Sequence, residues 1–324
     1  MRIMLGEAQQ EAVLGAMLWV AQAHGAGAVT PADRHTIGAA AEVVFVRPVP
    51  DFAALRPVDA PALAAAVSGA DAQEALRLLT VAALVDGSID AAKIDRVVAC
   101  ATATGQGGAE YVRDLAEAAH GHLQQALGCM IRANMASITG KPWTGGLTGD
   151  VAAFLMPYRG AGADPALAAR FTALATLPPD SFGHHFFRHF RDNGYGFPGE
   201  PDGLNVAFSV PHDSTHVLAG YDTTPEGEVL TSTFTAAMHP KNSMAAHVLP
   251  VIVSWHLGIK LNDQARSSTG ALKPGAFFEA WQRGAQTRLD LFAPGWDFFA
   301  VAAENIDALR ARYGIPPRTQ PLDS

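Results

Sequence analysis

Charged side chains make up only 17% of this 324-residue chain, and basic ones are the scarcer kind. Lys and Arg number 23 against 31 Asp and Glu, for a net charge of −8 and a pI near 5.8. A nucleic-acid binder needs a basic footprint to displace counterions from phosphates, so that class of partner is excluded. Cysteine is scarcer still. Cys100 and Cys129 form no C-x-x-C pair and are too few for a disulfide framework. Two buried free thiols in a reducing compartment are expected instead. Long apolar runs are missing as well: the longest near the start, Ala12 to Ala21, has 10 residues, too few to span a bilayer. Gly6 to Glu11 before it is acidic and polar where a signal peptide would be basic, so a buried helix is expected there. Strand-like alternation of β-branched residues is scarce over the first 125 or so positions.

What is present is 49% hydrophobic residues, enough for a large core and for about two domains. Leu14, Met17, Leu18 and Ala21 fall on one helical stripe, and Leu78, Leu79, Ala82 and Val85 on another. A faint repeat joins these regions. Gly27-Ala28-Val29-Thr30-Pro31-Ala32-Asp33 resembles Gly87-Ser88-Ile89-Asp90-Ala91-Ala92-Lys93, and each copy follows one apolar helix and precedes another. Thr30 and Asp90 stand where an N-cap is wanted, with Pro31 at the first helical position and Asp33 in the first turn. A helix–turn–helix hairpin used twice is therefore expected. Residues 139–165 and the stretch from Asn193-Gly194 to Pro211 read as loops, with a helix between them from Ser181 carrying Phe186, Phe187 and Phe190.

Histidine is the surplus: 12 in all, 8 of them between His184 and His256. The sharpest pattern is His212-Asp213-Ser214-Thr215-His216, with Pro211 placed for the first turn of a helix. At about 100° per residue, His212, His216 and Asp213 lie within one arc of a helix surface. Two imidazoles at i and i+4 beside a carboxylate make a metal-binding pattern, as in the H-E-x-x-H proteases. A further acid is expected from a second helix beginning Thr224-Pro225. Glu228 can face the first helix, while Glu226 points roughly 200° away from it, so one metal takes only one of them. His185 and His189 are also i, i+4, but no acid pair follows them. Val248 to Leu257 is an apolar segment fit for a core helix or a channel wall. Trp281, Trp296, Phe298 and Phe299 are expected in the core.

Two resemblances arise from these residues. Ala83-Leu84-Val85-Asp86-Gly87-Ser88-Ile89-Asp90, followed by a helix, resembles the tellurite-resistance TerB-like helical domain over about residues 8 to 122. The first copy, His24-Gly25-Ala26-Gly27, lacks the acid, so a cation at the second turn would have only Asp86 and Asp90. The pattern H-D-x2-H-x11-E, as His212, Asp213, His216 and Glu228, resembles the coenzyme Q biosynthesis protein 4 family over about residues 130 to 317. Val217-Leu218-Ala219-Gly220-Tyr221, Gly227-Glu228-Val229, Leu177-Pro178, Arg283-Gly284 and Leu309-Arg310 extend that likeness. In place of a charged stretch before the His-Asp pair, this chain has Phe208-Ser209-Val210-Pro211, so substrate or partner contacts from such charges are not expected.

The resemblance implies an all-α protein of two helical domains, a TerB-like one over 1–128 and a metal-binding one over 129–324. It implies His212, Asp213, His216 and Glu228 as ligands of Zn2+, with Fe2+ or Mn2+ as alternatives, and Asp213 or Glu228 as a proton acceptor. The implied activity is removal of the C1 carboxyl, with hydroxylation, from a polyprenylated benzoate in ubiquinone biosynthesis. The alternative is a non-catalytic scaffold that binds a prenyl lipid and holds a structural metal. Expected partners are a polyprenylated small molecule and other ubiquinone-pathway enzymes, with a homodimer also compatible. The expected location is cytoplasmic, with peripheral contact to the inner membrane allowed.

Overall fold

Thr30 and Asp90 cap helices as their positions predict. Thr30 accepts from the Asp33 backbone, and the Asp33 carboxylate answers the Thr30 backbone N–H. Asp90 accepts from Ala92 and Lys93. Pairing orphan N–H groups in this way fixes where a helix starts. The computed structural model describes residues 5–23, 27–239, 241, 243–261 and 266–319, and among these the chain is all-α, with two isolated β-bridges and no strand.

The first helices are α1 (Glu7–Ala21), α2 (Pro31–Ala39), α3 (Ala60–Ala66), α4 (Gly69–Leu84), α5 (Ala91–Ala103), α6 (Glu110–Ala119) and α7 (Leu123–Thr139). They are followed by α8 (Gly149–Leu155), α9 (Pro165–Thr172), α10 (Phe182–Asn193), α11 (Val206–Ala219) and α12 (Pro225–Met238). The last are α13 (Leu249–Trp255), α14 (Pro274–Gln286), α15 (Phe298–Val301) and α16 (Ile306–Tyr313). Single π-helical turns occupy Ala40–Val44 and Ser243–Val248. No helix among the described residues is long and apolar enough to cross a membrane.

The two hairpins meet at equivalent positions of the repeat. Lys93, at the place of Asp33 in the first copy, sends its ammonium to Asp33 Oδ1 at 2.7 Å and to the Asp86 carboxylate. Thr30 donates to Asp86 at 2.8 Å, which closes the ring. Lys93 and Asp33 are fully buried. Burial would lower the lysine pKa, but the bonds to Asp33 and Asp86 outweigh it and hold the amine charged. At the turn where the sequence offered Asp86 to a cation, that acid is engaged by Lys93. His24, Gly25 and Ala26, where the first copy lacks the acid, lie outside the described residues.

One apolar core takes Leu14, Met17, Leu76, Leu79 and Ile94 from the first helices and also Val248, Leu249, Ile252, Phe277 and Phe278 from later ones. His256 pins this union. Its Nδ1 accepts from the Leu272 N–H, so Nε2 carries the proton and donates to the carbonyls of Leu84 and Val85, each 3.1 Å away. A second core stacks Phe171, Phe186, Phe190 and Phe197 between α9, α10 and the loop beyond. Cys100 is buried as expected, while Cys129 is only half-buried.

Two loop expectations are corrected. Residues 149–155, read as loop because of Gly145-Gly146 and Gly160, form α8. α11 starts at Val206, capped by the Asn205 side chain, rather than at Pro211. Pro211 lies inside that helix, where its missing N–H removes the bond to the Ala207 carbonyl.

Candidate metal site

α11 ends in a cluster of carbonyls that need partners. Arg310 donates to those of Val217 and Leu218, each at 3.0 Å. Arg283 donates to that of Ala219 at 2.9 Å and to the Tyr221 hydroxyl at 2.6 Å. Gly220 then turns the chain with φ of 76°, a conformation that favours glycine. These arginines come from the segments Arg283-Gly284 and Leu309-Arg310, whose role the sequence left unassigned. Their effect is to fix the helix that carries His212 and His216.

α12 is placed against α11 with equal care. Thr224 caps it, as expected, accepting from Gly227 at 3.1 Å. Gly227 packs so closely on Asp222 that a Cβ there would stand 2.1 Å from the Asp222 carbonyl oxygen. Glu228 follows immediately. Farther along, Gly284 lets α14 approach α12: a Cβ at Gly284 would lie 2.2 Å from the Phe234 carbonyl oxygen.

The outcome is a triangle of donors. His212 Nε2 and His216 Nε2 are 3.2 Å apart, and Glu228 Oε2 lies 3.4 Å from the first and 3.6 Å from the second. Ligands about 2.1 Å from a tetrahedral metal stand about 3.4 Å from one another. The three atoms therefore match one face of such a coordination shell. Among the described residues this is the one group of three or more His, Cys, Asp or Glu side chains close enough to share an ion. His216 is also set in the right tautomer. Its Nδ1 lies 3.2 Å from the Tyr221 carbonyl, which can only accept, so Nδ1 carries the proton and Nε2 offers its lone pair. Thr231 Oγ1 is 3.1 Å from the same Nδ1.

The electrostatics are those of a tight pair of opposites. Burial would raise the Glu228 carboxyl, but the facing imidazoles of His212 and His216 hold it far below the usual carboxylate range. Burial would likewise lower His212, yet Glu228 and, more weakly, Asp213 keep it above its ordinary value.

Asp213 is not brought into the triangle. It accepts from or pairs with His189 Nε2 at 2.9 Å, and the His189 ring stacks on His216 with centroids 5.3 Å apart. His189, on α10, is thus a neighbour of the site that the sequence offered only as a weak ligand pair with His185. Glu226 is buried and stands outside the triangle.

His212, Asp213 and Glu228 line a cavity of about 460 Å³. Its remaining wall is largely apolar, including Ile131, Met135 and Ile138 of α7, Leu155 of α8, and Val251 and Trp255 of α13. The segment from Val248 divides its roles: Val248, Leu249 and Ile252 are core, while Pro250, Val251, Ser254 and Trp255 face the cavity.

No protein-family model and no curated protein matches this chain. Among solved structures, one of a candidate ubiquinone biosynthesis protein from Nostoc punctiforme PCC 73102 is similar to it at 20% sequence identity. The match covers 64% of this chain and 95% of that one, with a TM-score of 0.32.

Proposed function

We propose that the protein is a metal-dependent enzyme of ubiquinone biosynthesis that removes the C1 carboxyl from a polyprenylated benzoate. The observation behind its metal-dependent part is the His212–His216–Glu228 triangle, with its tetrahedral edge lengths, in the wall of a partly apolar cavity, while the pathway and the reaction follow from the resemblance of His212, Asp213, His216 and Glu228 to the coenzyme Q biosynthesis protein 4 family. Three protein donors, with further coordination positions left to water or substrate, are the pattern of a catalytic site rather than a closed structural one. Zn2+ is the proposed ion, with Fe2+ or Mn2+ as alternatives for the same donors. A divalent ion there supplies Lewis acidity toward a carboxylate, and iron would add redox capacity that zinc lacks.

The protein's own groups do the rest. His216, held by the Tyr221 carbonyl, keeps a lone pair ready without rotating. Asp213 lines the cavity in contact with His189 and is placed to take or return a proton at its carboxylate. The apolar part of the wall, with Ile131, Met135, Ile138, Val251 and Trp255, would house the prenyl chain.

The apolar wall also favours a second reading, in which the cavity carries a prenyl lipid to partner enzymes and the ion is structural. Removing the gene from its host and measuring quinones separates these from an unrelated role. Loss of ubiquinone with accumulation of a carboxylated prenyl-ring precursor is expected. Unchanged quinone levels would overturn the pathway assignment. Loss of ubiquinone without that precursor would favour the scaffold.

A further inference from the structure

Among the described residues, none before Ile131 lines the metal-site cavity. The N-terminal hairpins nevertheless reach its wall through one side chain, His256. α4 ends at Leu84, and the carbonyls of Leu84 and Val85 need partners there. His256 Nε2 serves both, at 3.1 Å from each. Gly87 lies against the same residue: a Cβ on it would stand 3.8 Å from the His256 carbonyl oxygen and 3.9 Å from the ring. Asp86, between these contacts, is held by Lys93 and Thr30, so the junction is tied to both hairpins at once.

On its other side His256 organises the end of α13. Its Nδ1 accepts from the Leu272 N–H at 3.2 Å, and its carbonyl accepts from the Gly270 N–H at 3.1 Å. Ser254, two residues earlier, accepts from the Ser268 N–H at 3.0 Å, and its hydroxyl donates to the Arg266 carbonyl at 2.8 Å. Ser254, Trp255 and Arg266 all line the cavity beside Val251. The ring must be neutral to donate at one nitrogen and accept at the other. Burial pushes His256 below its ordinary value, with Lys273 adding to the fall and the Val85 and Leu84 carbonyls and Asp86 opposing it, which keeps the imidazole uncharged near pH 7. An apolar side chain of the same size would fill the space and leave the Leu272 N–H and the end of α4 unpaired.

Resting on the functional reading above, in which the apolar wall houses a prenyl tail, we infer that His256 is a positioning residue that clamps the N-terminal hairpins to the end of α13 and so sets the tail-binding part of the cavity. The N-terminal helices thereby contribute to ligand recognition without touching the ligand.

The test uses the zinc-loaded full chain and two probes, 3-geranylbenzoate and 3-methylbenzoate, with binding followed by calorimetry. The native protein is expected to prefer the geranyl probe about tenfold or more, since each buried methylene contributes about fourfold. His256→Ala is expected to cut that ratio about fourfold, as if one methylene were left uncovered, with zinc affinity unchanged. His256→Gln keeps a donor and an acceptor and is expected to restore the ratio. Gly87→Val perturbs the junction from the hairpin side, at a φ of 75° that favours glycine, and is expected to cut the ratio as well. It carries the test if His256→Ala fails to fold. A native ratio in the folded variants, a glutamine variant no better than alanine, or a ratio lost only together with zinc affinity overturns this inference and leaves the functional reading standing. No preference for the geranyl probe in the native protein overturns the prenyl-tail reading and this inference with it.

Discussion

His216 suits the proposed metal site because its far nitrogen is committed. With Nδ1–H directed at the Tyr221 carbonyl and Thr231 beside it, the imidazole has one orientation and one tautomer. Outer partners of this kind typically contribute 10- to 100-fold in metal affinity. Thr231→Val, which keeps shape and removes the hydroxyl, is expected to weaken zinc binding about tenfold, as read by competition with a chromophoric chelator. An unchanged affinity would remove Thr231 from the account. His247 yields a pH prediction. Its folded pKa of about 3 lies below the ordinary 6.5, so the unfolded chain binds more protons between those values. Stability attributable to it is present above pH 6.5 and is lost as the pH falls through that window. Urea unfolding of His247→Phe from pH 7 to pH 3 is expected to show a flatter decline than the native protein. The paired spacing of His212, His216 and Glu228 was legible because i, i+4 periodicity and a capped second helix fix the faces of two adjacent elements. The partnership of Asp213 with His189 was not legible, since it joins residues 24 positions apart on separate helices.

Helix starts were readable wherever a cap met a first-turn signal, as at Thr30, Asp90, Ser181 and Thr224. They were misread where glycine or proline pointed the wrong way. Pro211 suggested a beginning, yet Asn205 had already capped α11, and the proline is tolerated inside. Glycine carries its meaning through packing, which no local pattern reveals. Gly227 is required because α12 presses on the Asp222 backbone just before Glu228. Gly227→Ala is expected to displace Glu228 and to cut zinc affinity at least tenfold, whereas Gly149→Ala, with open space around it, should leave affinity unchanged. Equal zinc affinity in both variants, measured by the same chelator competition, would show that the close approach does not position the ligand.

At the scale of the molecule, periodicity marked individual helices and the resemblance implied the all-α class, but neither revealed how the parts join. α7 runs unbroken through residue 128, and helices from both sides of it share one core. The contact of His256 with Leu84 spans 172 positions, a separation that periodicity does not encode. Lys93 shows the same limit, because the repeat marked its position without disclosing that the copies bind each other there. Lys93→Met leaves Asp33 buried without its cation and is expected to cost about 3–5 kcal/mol, read as a lower urea midpoint with zinc binding retained below the transition. A midpoint equal to the native one would mean that the ion pair contributes nothing net. The low overall charge has a place here too, since the cavity wall beside the metal triangle is mostly apolar and no helix among the described residues spans a membrane.

The most direct test of the central claim is a calorimetric zinc titration of the metal-stripped protein beside His216→Ala. One equivalent of zinc bound tightly by the native chain, with that binding lost in the variant, is the predicted result. Zinc bound with the same stoichiometry and affinity by both proteins would contradict a metal site built on His212, His216 and Glu228.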